Sequence, residues 1–298
     1  MRILNLGSLN IDKVYQVDHF VAAQETTSAE ACHVYPGGKG LNQSVAIARA
    51  GGNVSHAGAV GTDGGDLLAL LEEEHIGLEF VRKTEGVSGS AVIQVAAGEN
   101  AIIVFGGANK EITNEDVDRA IKSYGRGDCL LLQNETSCVS YAMHEAEKRG
   151  MMVAFNASPI TPEIMDYPLE TVNLFFVNEI EARYLSECDS TDYMTILEQL
   201  HVRFPKADLV MTAGADGVYC QSGNETIHIA ANQVPVVDTT AAGDTFGGYY
   251  LAGIGCGMNK EEALKTATLA AGLAVGQKGA SSSIPYWREV SRLLVNGS

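Results

Sequence analysis

Apolar and polar positions follow one another in two different rhythms along the chain. Arg2 to Leu6 is a compact apolar run that reads as a strand, closed by Gly7-Ser8-Leu9-Asn10-Ile11-Asp12. From about residue 112 a repeating unit takes over. Polar helix-period segments at Asn114 to Lys122 and Tyr141 to Arg149 are interleaved with short apolar runs. Those runs are Cys129 to Leu132, Met151 to Phe155, Leu174 to Val177 and Leu209 to Thr212. Strand–helix units of this length predict an α/β fold whose central sheet is mainly parallel, with helices on both faces.

Two stretches break the rhythm. Residues 13–36 alternate loosely without a helical stripe, and Ser90 to Val95 turns at Gly98-Glu99-Asn100 and returns through Ala101 to Phe105. They predict a small β-lid, about 13–36 and 89–106, built on a single domain spanning 1–298. Between them the glycine-rich run Gly37 to Gly40 enters a helix whose Leu41, Val45 and Ala48 share a face, so Lys39 and Asn42 project from its entry. Val54 to Val60 and the leucines 67, 68, 70 and 71 form another strand–helix unit, with Asp63 and Asp66 read as helix caps. Near the end, Val234, Val236 and Val237 read as an extended segment. It leads through Asp238-Thr239-Thr240-Ala241-Ala242-Gly243 into a helix expected to begin at Asp244.

Chemistry gathers at the strand ends. Asn10/Asp12, Glu135, Asn156, Asn178/Glu181, Gly214/Gly217 and Asp238/Asp244 each follow a predicted strand. A parallel sheet puts such positions on one edge, where a single cleft can hold them all. In the stretch 238–244, small residues let backbone N–H groups converge, and the helix N-terminus adds partial positive charge. A carboxylate beside an anion-binding turn suits phosphoryl transfer to a hydroxyl; a helix cap after a glycine turn suits the same residues. No GxxxxGK[ST] loop is present, and Gly7-Ser8-Leu9-Asn10 lacks the GxGxxG of a dinucleotide site.

Composition narrows the partners. The 298 residues carry a formal net charge of −17, which argues against nucleic acid or an anionic membrane surface. No run approaches the ~18 apolar residues of a membrane span, and the opening residues read as a strand, not a signal peptide. The six scattered cysteines fit reduced, mostly buried thiols. A cytoplasmic location is expected.

Taken together, Gly37-Gly38-Lys39-Gly40-Leu41-Asn42-Gln43 and Asp238-Thr239-Thr240-Ala241-Ala242-Gly243-Asp244-Thr245-Phe246 resemble the two signatures of the PfkB/ribokinase family of carbohydrate kinases. Gly7 to Asp12, Asn178 to Glu181, Thr212 to Gly217 and Lys278 to Pro285 extend the resemblance over the whole chain. It implies a ribokinase-like three-layer sandwich and transfer of the γ-phosphoryl of ATP to a primary hydroxyl of a pentose, D-ribose above all. It further implies that Asp244 is the base and that the amides of Ala241, Ala242 and Gly243 form the anion hole. Asn10, Asp12, Gly38, Lys39, Asn42 and Glu135 would hold the sugar. Asn178, Thr212, Gly214, Ala215, Gly217, Gly243 and Thr268 would hold the nucleotide. Glu181 would organise Mg²⁺ through water. Asp238, Thr240, Ala274, Gln277, Gly279 and Ser283 would surround K⁺. The lids would pair across a homodimer, covering the edges that the small sheet exposes. Thr268, Gln277 and Ala157-Ser158 depart from the family pattern, where His, Arg and Pro-Ala are common.

Deoxyribose, a hexose, a sugar acid or a nucleoside are the alternative acceptors. Lys13 is the only basic residue of the lid apart from the histidines, which favours an unphosphorylated sugar. A non-catalytic sugar-binding protein is the rival from another class.

Overall fold

The computed structural model describes residues 1–296. In chain order the elements are β1 (Arg2–Leu6), β2 (Asn10–Gln16), β3 (Ala31–Gly37), α1 (Lys39–Arg49), β4 (Asn53–Val60), α2 (Gly65–Glu73) and β5 (Gly77–Lys83). There follow β6 (Gly89–Ala96), β7 (Glu99–Phe105), α3 (Asn114–Ile121), β8 (Cys129–Gln133), α4 (Val139–Lys148), β9 (Met152–Asn156) and β10 (Leu174–Asn178). The last are α5 (Glu179–Ser186), α6 (Tyr193–Arg203), β11 (Asp208–Thr212), β12 (Val218–Ser222), β13 (Glu225–Ile229), α7 (Ala242–Gly255), α8 (Lys260–Val275) and α9 (Trp287–Asn296).

Nine strands form one sheet in the order β13-β12-β11-β10-β9-β8-β1-β4-β5, parallel from β11 to β5. The β12–β13 hairpin adds an antiparallel edge that the apolar pattern did not predict. Alternate strand residues feed two separate cores. Leu4, Leu6, Leu130, Leu132, Phe175 and Val177 pack with α3 to α6 on one face. Ile3, Cys129, Leu131, Leu174 and Phe176 pack with α1, α2, α7, α8 and α9 on the other. Burial on both faces explains why these strands are continuous apolar runs. The result is the three-layer α/β sandwich expected.

β3, β2, β6 and β7 form a second, four-stranded sheet. Its last strand leaves Ile102, Ile103, Val104 and Phe105 exposed, at 53%, 66%, 59% and 57%.

Four local expectations are corrected. Residues 230–241 form no strand; the amides of Val237 and Asp238 both donate to the carbonyl of Val275 instead. Asp63 does not cap α2, which starts after Gly64 without a side-chain cap; its Oδ1 accepts from the Ser88 amide at 2.8 Å. α7 begins at Ala242, two residues earlier than predicted. Of the cysteines only Cys129 and Cys220 are buried, while Cys32 and Cys256 are exposed.

Candidate active site

The strand ends open onto a cavity of about 620 Å³ lined by Asn10, Asp12, Gly38, Lys39, Asn42, Glu135, Asn178, Glu181, Thr212, Thr240, Ala241, Ala242, Gly243 and Asp244. A second cavity of about 390 Å³ is lined by Thr212, Gly214, Ala215, Gly217, Thr268, Ala242 and Gly243, together with Val234, Val236, Gly272 and Val275. Thr212, Ala242 and Gly243 belong to both, so the cavities meet at the start of α7. Of the predicted site residues, Asp238, Ala274, Gln277, Gly279 and Ser283 line neither.

Asp244 stands in the first turn of α7 and is only 6% exposed. Its carboxylate does not cap the helix. Oδ1 accepts from Gln43 Nε2 at 2.8 Å and Oδ2 from Asn42 Nδ2 at 3.0 Å, both from the N-terminal half of α1. The two helices approach this closely because Gly248 of α7 faces Ala46 of α1, where a Cβ would collide with the Ala46 methyl. Ahead of the helix, Ala241 takes a left-handed backbone with φ 60°, a sparsely populated region for a residue with a side chain. That kink sits immediately ahead of α7, where the two cavities join. The Ala242 amide itself reaches back to the Thr239 carbonyl at 3.2 Å, so its part in an anion hole requires that bond to yield.

The polar side of the first cavity is held from behind. Asn10 Oδ1 accepts from Asn109 Nδ2 at 2.7 Å, and Asn109 Oδ1 accepts from the Leu9 amide at 3.0 Å. Glu135 Oε2 accepts from Ser8 Oγ and from the Lys39 amide, the latter at 3.1 Å. Gly38 caps α1 with φ 94°, which brings Lys39 into the cavity at a conformation that favours glycine. Asp12 and Asn42 each keep a buried Oδ1 without a hydrogen-bond partner. Unsatisfied buried acceptors lining a cavity are places for ligand hydroxyls. Burial, with Glu135 adding to it, pushes the Asp12 carboxyl up to about 7. Burial alone would lower Lys39, but the carboxylates of Asp244, Glu135 and Glu181 outweigh it and raise the ammonium above its usual value.

The second cavity is made by backbone and small residues. Gly217 holds φ 92°, and a Cβ there would run into the carbonyl of Ile229. Thr268 lines the wall, but its hydroxyl donates to Leu264 O at 2.8 Å within α8, so it presents no free donor there. Asn178 lies on the other cavity, with its side chain committed to a capping box. Its Oδ1 accepts from the Glu181 amide at 2.9 Å, and its Nδ2 donates to Glu181 Oε1 at 3.0 Å.

Glu181 is buried and lines the first cavity with its carboxylate oriented by Asn178, a placement that fits holding Mg²⁺ through water. Among the described residues no group of three or more His, Cys, Asp or Glu is clustered for direct metal ligation. Asp238 straps the turn before α7 to the segment after α8. Its Oδ1 accepts from the Thr240 amide at 2.9 Å and its Oδ2 from the Gly279 amide at 3.1 Å. Burial would raise this carboxyl, yet those bonds hold it below the usual value. Carboxylate, hydroxyl and carbonyl oxygens around that strap are donors suited to a hard cation.

Ser8, Gln43 and Asn109 were not among the predicted site residues. Gln43 was within reach, since it closes the run Gly37 to Gln43; Asn109 carries no local signal, because only the small sheet brings it beside Asn10.

Residues 2–287 match the pfkB family carbohydrate kinase family. The chain is similar to a ribokinase of Haemophilus influenzae, 33% identical over 97% of either chain. It is also similar to a deoxyribokinase of Salmonella typhi, 31% identical over 99% of either chain. The structure of an Arabidopsis thaliana ribokinase complexed with ribose and ATP superposes with a TM-score of 0.86 over 98% of both chains, at 27% identity.

Proposed function

The chain belongs to the pfkB family of carbohydrate kinases, and on that premise we propose that it transfers the γ-phosphoryl of ATP to the primary hydroxyl of D-ribose, giving D-ribose 5-phosphate and ADP. One observation carries the reading: a buried carboxylate, Asp244, stands where a polar cavity and a small-residue cavity meet at the N-terminus of α7. Asp244 receives the hydroxyl proton while the sugar oxygen forms its bond to the γ-phosphorus and the bond to the β-phosphate oxygen breaks. A carboxylate serves as the acceptor because phosphoryl transfer has a loose transition state, in which the proton leaves late. Asn10, Asp12, Gly38, Lys39, Asn42 and Glu135 hold the sugar. The amides of Ala241, Ala242 and Gly243 receive charge on the transferred group.

Gly214, Ala215, Gly217, Thr212 and the methyl of Thr268 shape the nucleotide half. Mg²⁺, organised by Glu181 through water, would neutralise phosphate charge when bound. The strap at Asp238, with Thr240, Ala274, Gln277, Gly279 and Ser283, would hold K⁺ beside the anion hole. The small sheet acts as a lid, and its exposed apolar strand pairs with the lid of a second copy; a strictly monomeric protein in equilibrium sedimentation at micromolar concentration would refute that pairing. Among the described residues no helix is long and apolar enough to cross a membrane; a cytoplasmic location is part of the proposal.

Similarity to a deoxyribokinase at almost the same identity favours 2-deoxyribose as the second acceptor. Radiolabelled ATP against a panel of pentoses, hexoses and nucleosides tests both. D-ribose is expected to give the highest kcat/KM, and absence of transfer to any sugar with binding retained would overturn the kinase reading.

A further inference from the structure

Five polar side chains lie in the core behind Asp244 and line neither cavity: Asn5, Gln43, Ser44, His56 and Gln133, none more than 1% exposed. Polar groups this deep are costly unless they are hydrogen-bonded, and here the bonds run in one continuous line that leaves only Gln133 Oε1, among these five side chains, without a partner.

The direction of that line is fixed from both ends. The Gly40 carbonyl can only accept, so Asn5 Nδ2 faces it at 2.7 Å, and Asn5 Oδ1 is left to accept from Gln133 Nε2 at 2.9 Å. At the other end an ionised Asp244 can only accept. Gln43 Nε2 therefore faces its Oδ1 at 2.8 Å, and Gln43 Oε1 is left to accept from Gln133 Nε2 at 2.7 Å. Both ends independently require the Gln133 amide nitrogen in the middle, where it uses both hydrogens. Further back, His56 Nε2 donates to the Gly7 carbonyl at 3.2 Å, so Nδ1 accepts from Ser44 Oγ at 2.9 Å. Ser44 Oγ in turn accepts from Asn5 Nδ2 at 2.8 Å. Burial holds His56 down at about 4, which keeps this end neutral and its tautomer single.

We propose that Gln43 is a positioning residue for phosphoryl transfer: backed by Gln133, it pins Oδ1 of Asp244 so that Oδ2, shared with Asn42, is the oxygen presented to the acceptor hydroxyl. Asn42 lines the cavity and keeps an unpartnered Oδ1, so its bond to Oδ2 is the one a substrate can exchange. Gln43 lies outside the cavity and holds its bond throughout. The inference rests on the reading of Asp244 as base.

The test compares Gln43→Met, which keeps the length of the side chain and removes its hydrogen bonds, with Gln133→Met and Asp244→Asn. Steady-state kinetics with D-ribose and ATP accompany thermal melts. Gln43→Met is expected to lower kcat roughly 10- to 100-fold, the scale of a misplaced reacting group, with both KM values within about threefold of wild type. Gln133→Met should lower kcat in the same sense but less, because Gln43 remains and loses only its anchor. A folded Gln43→Met with kcat within twofold of wild type, or a loss expressed only in KM, overturns the proposal. Near-normal activity in Asp244→Asn would instead overturn the reading of the base. Should both methionine variants fail to fold, the side-chain amide protons of Gln43 in the wild-type protein decide by NMR. Slow exchange with solvent in free and sugar-bound protein supports the pin; fast exchange overturns it.

Discussion

The two halves of the cleft are made of different material. The polar half is lined by side chains at strand ends and at the entries of α1 and α7: Asn10, Asp12, Lys39, Asn42, Glu135 and Asp244. In the other half the lining is mostly glycine, alanine and valine around Gly214, Gly217, Val234, Gly272 and Val275, with Asn232, Gln233, Phe246 and three threonines among them and no charged side chain. A sugar is read hydroxyl by hydroxyl and needs paired donors and acceptors. A purine ring needs a slot of the right width. The polar half should therefore answer to single-atom changes, and the apolar half should ignore them.

The largest expected departure is at the junction. Asp244→Asn removes the proton acceptor and should lower kcat by about 10²–10⁴-fold, the range for a general base, while sugar and ATP still bind. Retained turnover would break the division of labour outright.

A smaller, graded effect belongs to Asp12. Its carboxyl titrates at about 7 because of burial and Glu135, so below that pH the ionised form that accepts sugar hydroxyls becomes scarce. The KM for the sugar should then rise by up to about tenfold per pH unit, and Asp12→Asn should flatten the profile. The stability sign is opposite. A carboxyl whose folded value is raised contributes stability below its unfolded value of 3.8 and loses it as pH climbs through about 7. Unliganded Asp12→Asn should therefore melt higher than wild type at pH 8, which differential scanning calorimetry would measure. A lower melting temperature would contradict the burial argument.

The smallest effect is expected in the apolar half. The Thr268 hydroxyl is satisfied by its own helix, so Thr268→Ala should change the KM for ATP by less than about threefold in steady-state assays. A tenfold rise would mean that the hydroxyl turns to the nucleotide, and the contrast between the halves would fail.

The same contrast governs what could be read before the structure. The polar half was legible because its residues follow strands, and a parallel sheet delivers strand ends to one edge. Asn10, Asp12 and Glu135 were found that way, whereas Lys39 was read from the glycine-rich entry of α1 and Asp244 from the small-residue turn ahead of α7, behind a strand that does not form. The β12–β13 hairpin and the irregular run 230–241 were not legible: the valines of that run suggest extension, while the amides of Val237 and Asp238 go to Val275, a partner set by tertiary packing. Asp63 shows the same limit from another side, since an acidic residue before a helix looks like a cap until Ser88 claims it. Gln43 stood in view inside a recognisable run, yet its role depends on meeting Gln133 and Asp244 in the core, which no local pattern contains.

Asp244 and the amide that pins it are separated by 201 residues of chain. Every strand is complete by Ile229, whereas α7, α8 and α9 come after it. A ribosome has thus produced both sheets and most of the polar pocket before the acid that works there exists as polypeptide. At roughly 5–20 residues per second, the stretch from Ile229 to Asp244 takes about one to three seconds more. On the reading of Asp244 as the base, a chain that stops just before residue 244 therefore carries every strand of both sheets and lacks the carboxylate that the sugar hydroxyl would meet.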